Sequence, residues 1–146
     1  MTLEEFASLP GTRLRSGRIS IPAGERLDLA AVLGSAAPTD ALHPLHAYIA
    51  MQRGIGESIE DLCHYADFEM EDGPMMGSLD LEVFEDLQPD TEYTVEGELV
   101  DLVRKHGSRF TFDLMTFREH LYDASGREVA RTTNTFVLPR IPKEER

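Results

Sequence analysis

The sequence predicts one α+β domain in which a curved antiparallel β-sheet wraps a central α-helix. Three observations carry that reading. Ile59, Leu62, Cys63, Ala66 and Met70 fall at i, i+3, i+4, i+7 and i+11, a single apolar stripe at helical period. After Pro74 the apolar period drops to two and stays there. Turn signals at Gln88-Pro89-Asp90, Lys105-His106-Gly107-Ser108 and Asp123-Ala124-Ser125-Gly126 then divide the second half into four strands with short antiparallel connections. A striped helix followed by strands buries its stripe when the sheet folds over it.

Taken in order, Thr2 and Glu5 have capping-box spacing, and Leu3, Phe6 and Leu9 predict a short helix that stops before Pro10-Gly11. Arg18-Ile19-Ser20-Ile21 alternates as a short strand ended by Pro22. Glu25 to Leu33 carries Leu29, Ala30 and Leu33 on one helical face, with Gly34 placed to end it. Residues 35–39 are small and contain Pro38, a loop composition. His43-Pro44 opens a second short helix, since proline is tolerated in a first turn, and Gly54 and Gly56 break the chain after it. The principal helix is expected over Ser58–Met70, with Ser58 and Asp61 as its capping pair and Asp72-Gly73-Pro74 as its stop. The strands follow: Leu79, Leu81 and Val83 alternate with Ser78, Asp80 and Glu82. Tyr93 to Val103 places Tyr93, Val95 and Leu99 on one face, Phe110, Phe112 and Leu114 alternate towards Leu121, and Val129 to Leu138 closes the sheet. Residues 140–146 read as a flexible charged tail.

Composition bounds the function. With 146 residues, 41% apolar and 28% charged, the chain has the makings of one folded domain, 1–146. Its formal charge of −13 disfavours nucleic acid and anionic membrane as partners. No run approaches the roughly eighteen apolar residues of a membrane span. The start is acidic rather than basic, and the single cysteine cannot form an internal disulfide, which together point to a cytoplasmic protein. No phosphate-binding loop, dinucleotide fingerprint or Ser-His-Asp order is present, so no cofactor is expected. His43 and His46 have metal-ligand spacing without third and fourth ligands nearby, so no metal is assigned. Cys63 lies on the apolar stripe, where a buried, inert thiol is expected.

The chemistry-bearing residues concentrate between residues 40 and 70, which hold three of the five histidines and the cysteine. The segment Ala41-Leu42-His43-Pro44-Leu45-His46, followed by Ala50, Gly54-Ile55-Gly56 and Ile59, resembles the Asp-x-Asn-Pro-x-His segment, glycine loop and helix of the MaoC-like (R)-specific enoyl-thioester hydratases and dehydratases. The turn Leu87-Gln88-Pro89-Asp90 before the strand TVEGEL, and the hairpin YDASGREVARTTNTFVLP, fit the same family over roughly residues 15–140. The resemblance implies a hotdog fold. It also implies a dimer, homomeric or with another hotdog subunit, acting on an acyl-CoA or acyl-carrier thioester.

In that family an aspartate and a histidine straddle a water as general base and general acid, while a backbone N–H polarises the thioester carbonyl. His46 matches the histidine. The aspartate position is Ala41 and the asparagine position is His43; Asp40, one place earlier, is the candidate substitute. The resemblance therefore assigns His46 and Asp40 to catalysis and His43, Gly54, Gly56 and Ile59 to substrate binding. The loss of the motif aspartate at Ala41 keeps an alternative open, a non-catalytic partner that shapes the acyl tunnel while another chain supplies the acid–base pair. A third reading is a hotdog thioesterase, with Glu57, Glu60, Asp61 or Asp67 activating water.

Overall fold

The computed structural model describes residues 1–34, 41–142 and 144 of the chain. The helices are α1 (Leu3–Ser8), α2 (Ala23–Leu33), α3 (Leu45–Gly54) and α4 (Ile59–Tyr65). The strands are β1 (Gly17–Ile19), β2 (Met75–Val83), β3 (Tyr93–His106), β4 (Thr111–Tyr122) and β5 (Glu128–Arg140). They form one antiparallel sheet in the order β1-β3-β4-β5-β2. The local signals act as the sequence predicts. Both capping boxes form, Thr2 with Glu5 and Ser58 with Asp61. Gly34 ends α2 at φ 66°, a left-handed conformation that costs glycine little. In the last hairpin, Asp123 Oδ1 accepts from the backbone N–H groups of Ser125 and Arg127, and Gly126 takes the left-handed turn position at φ 84°.

The helix that the sheet wraps is α3, which corrects the expectation of Ser58–Met70. α3 lies against β1, β3, β4 and β5. Its buried face is Ala47, Ala50, Met51 and Gly54, at i, i+3, i+4 and i+7. All but Met51 are small, and the two alanines and the glycine set the approach. A Cβ on Gly54 would lie 2.6 Å from a Val95 methyl, and one on Gly17 would lie 1.8 Å from the Gly54 carbonyl oxygen. The expected principal helix is shorter: α4 ends at Tyr65 because Asp67 turns left-handed at φ 52°. Phe68 then drops into the core, donating its N–H to the Cys63 carbonyl at 3.1 Å. Leu62, Cys63 and Ala66 are buried, while Ile59 and Met70, the two ends of the stripe, are exposed.

A second correction concerns the tail. Arg140 is the last residue of β5 rather than the first of a free end. Its guanidinium bonds Asp113 at 2.8 Å, the Asp67 carbonyl at 2.6 Å and the Ala66 carbonyl. Arg104 bonds the same Asp113 at 2.8 and 3.1 Å, so a fully buried carboxylate ties β3, β4 and β5 to the end of α4. Pro139 does not stop the strand: it stands opposite Phe112 of β4, beyond Val137, where the pairing with β2 ends.

Candidate functional site

The segment before α3 is held in place by its backbone and by one side chain. Buried Leu42 donates its N–H to the Leu87 carbonyl at 2.9 Å, tying the segment to the loop between β2 and β3. Pro44 starts the helix, and His43 Nδ1 accepts the Leu45 N–H at 3.0 Å. His43 thus caps an orphan donor of the first turn, the work usually done by Ser, Thr, Asp or Asn.

His46 follows on the second residue of α3. It is 1% exposed, and its Nδ1 has no hydrogen-bond partner among the described residues. It lines a cleft of about 350 Å³ between α2 and α3, together with Glu25, Asp28, Leu29, Val32, Ile49 and Arg53. Burial lowers the imidazole pKa, the Glu25 charge opposes that, and His43 and Arg53 add to it. The net shift is downward and favours the neutral imidazole. Across the cleft Arg53 Nη1 donates to both Glu25 oxygens, at 3.0 and 2.8 Å.

The other residues named from the sequence are dispersed. Asp40 lies outside the described residues. Gly54 is eight positions along α3, about 12 Å along the axis from His46, and faces Val95 and Ile19. Gly56 packs against Arg15 and Ser16, where a Cβ would lie 2.7 Å from the Ser16 carbonyl oxygen. Ile59 begins α4 and is half-exposed. Neither glycine nor Ile59 lines the cleft that holds His46. Glu25 and Arg53 were not singled out by sequence reasoning. Their only local signal is an acid in the first turn of one helix and a base in the last turn of another, and nothing in the sequence joins them.

Of the acids near α4, Glu57 and Asp61 are committed to structure, while Glu60 and Asp67 are exposed. Glu57 is buried and accepts from the Arg15 backbone N–H and guanidinium, both at 3.0 Å, and from the Tyr65 hydroxyl at 2.9 Å. Burial alone would raise its pKa, but the bonds from Arg15 and Tyr65 outweigh that and hold the carboxyl below its usual range. Asp61 caps α4 and pairs with Arg15 at 2.8 Å. Met75 and Met76, on β2, and Met70, just before it, are exposed. Among the described residues, no three His, Cys, Asp or Glu side chains come together as a metal site, and no helix is long and apolar enough to cross a membrane.

This architecture is the hotdog fold: a five-stranded antiparallel sheet curled over one helix. Its solved structural neighbours are hotdog proteins. One is a chain of the ChsH1–ChsH2 complex from Mycobacterium tuberculosis, at TM-score 0.69 and 14% identity over 97% of this chain and 96% of that one. Another is a MaoC-like dehydratase from Rhodospirillum rubrum, at TM-score 0.66 and 17% identity over 97% and 99%. A fluoroacetyl-CoA-specific thioesterase matches at TM-score 0.58 and 14% identity over 88% and 87%. At such identities the likeness is one of fold. No protein-family model and no curated protein matches the sequence.

Proposed function

We propose that this chain is a hydratase or dehydratase of acyl thioesters, or one subunit of such an enzyme, with His46 as its acid–base group. The observation that carries the reading is the state of His46. It is buried with its pKa lowered, its Nδ1 has no partner among the described residues, it lines a cleft of about 350 Å³, and the sequence resemblance matches it to the histidine of MaoC-like hydratases. A buried polar nitrogen without a partner costs stability, and a substrate hydroxyl or a water delivered to the cleft would satisfy it. Structural neighbours named as a dehydratase and as a two-component complex support the same reading. The test is incubation with crotonyl-CoA and with a long-chain or steroid enoyl-CoA, following loss of the enoyl absorbance beside free-thiol release. His46→Gln should lower hydration by about 100-fold or more, the usual worth of a positioned acid–base group. An unchanged rate removes His46 from the mechanism.

Ala41 favours a second reading, a non-catalytic partner subunit. At the motif's aspartate position stands a side chain that moves no proton. That reading requires the protein to be inert alone and to support turnover after mixing with a hotdog subunit that carries both Asp and His. The thioesterase reading is weaker here, because both Glu57 oxygens are already bonded; rapid thiol release would restore it. In either hydratase reading we expect a homodimer or a heterodimer. β2 is an edge strand paired on one side only, and Met75, Met76 and Leu79 on it are exposed.

A further inference from the structure

We propose that Glu25, on α2, is the carboxylate that positions and charge-stabilises His46 across the α2–α3 cleft. This rests on the acid–base reading of His46 given above. Glu25 and His46 line the same cleft, and the carboxylate is held there by two hydrogen bonds from Arg53, reaching from the last turn of the helix that carries His46. The cleft also brings Asp28 from α2, while His43 precedes the helix. Among the charges acting on the imidazole, Glu25 is the one that favours its protonated form, against burial, His43 and Arg53. Leu29, Val32 and Ile49 supply apolar walls between which an acyl chain can lie.

The step balances with one base. Neutral His46 takes a proton from water as the water oxygen bonds to C3 of the enoyl thioester. The C2=C3 electron pair moves to C2, and the imidazolium returns its proton there. Water has been added across the double bond, and His46 is neutral again. Glu25 stabilises the imidazolium between the two transfers, so it is a positioning residue and not the proton carrier.

The experiment compares wild type, Glu25→Gln, Glu25→Asp and Arg53→Gln in the hydration assay, with pH profiles, and follows the His46 ring by NMR titration. Glu25→Gln should lower kcat about 100-fold with little change in KM, and should move the His46 limb of the profile and the ring titration to lower pH. Glu25→Asp should recover part of the rate. Arg53→Gln breaks the same ion pair but keeps the carboxylate, so its limb should move to higher pH. Turnover by wild type with Glu25→Gln within about threefold of it overturns the proposal and returns the role to Asp40. So does a His46 titration that Glu25→Gln leaves in place, whatever the activity. If wild type shows no turnover, alone or with a motif-bearing hotdog subunit, the hydratase reading of this chain falls, and Glu25's part in it falls too.

Discussion

Two buried side chains on opposite sides of α3 show how the same burial serves different ends. Burial beside the α2–α3 cleft lowers the pKa of His46. Glu119 on β4 is fully buried, and neither carboxyl oxygen has a partner among the described residues. It stands opposite Gly97 on β3 and Thr132 on β5, on the sheet face turned to α3, where its charge is felt by Tyr48. Burial pushes its pKa up to about 7. The folded state therefore holds a proton that the unfolded chain releases near pH 4.5. Stability from this group is complete below that value and is lost as pH rises through about 7, by about 3 kcal/mol in all. Glu119→Gln should flatten that slope and make the protein more stable than wild type at pH 8, measured by urea unfolding at pH 5 and pH 8. Parallel slopes for the two proteins would show that the carboxyl is hydrated or paired in solution.

At the scale of elements, the informative contrast is between α3 and α4. The sequence displays the α4 stripe openly, in large apolar residues, but α4 closes one end of the core. α3 carries a quieter stripe of two alanines, a methionine and a glycine, and lies under the sheet because Gly54, against Gly17, Ile19 and Val95, lets it approach β1 and β3 closely. Gly54→Ala tests this directly. The added Cβ would meet Val95 at 2.6 Å and Ile19 at 3.0 Å, and overpacking of that kind costs about 2 kcal/mol. A chemical-denaturation midpoint equal to wild type would mean that α3 can shift away from the sheet. In β4 the contrast is one of faces. Phe112 and Leu114 alternate as the sequence indicates, yet the buried set is the complementary one, Asp113, Met115, Phe117, Glu119 and Leu121. Two acids stand on that face, Asp113, neutralised by Arg104 and Arg140, and Glu119, without a partner among the described residues.

The whole molecule ends in two unlike edges. β1 is three residues long, and the flank of β3 from Gly97 to Leu99 is covered by the chain before it, through Gly11, Leu14 and the Arg13–Glu98 bridge. β2 is nine residues long, pairs only with β5, and presents exposed methionines and Leu79. An open, apolar edge of that length invites a second strand. We expect a dimer by analytical ultracentrifugation, formed through β2, and Met76→Lys combined with Leu79→Lys should leave a folded monomer. A wild-type protein that sediments as a monomer at micromolar concentration would point instead to a different hotdog subunit as its partner.

By itself the sequence determined the local elements: the capping boxes of α1 and α4, the glycine stop of α2, the hairpin at Asp123–Gly126 and the four long strands. Each of these is written in neighbouring residues and decided by backbone conformation or period. It also placed His46 at the head of a helix, through a motif only a few residues long. Tertiary structure alone decided which helix the sheet wraps, which face of β4 is buried, and that Glu25 and Arg53 meet across the cleft from His46. Those outcomes depend on close approach between segments far apart in the chain, and the size and charge of a residue have that consequence only once its neighbours are known.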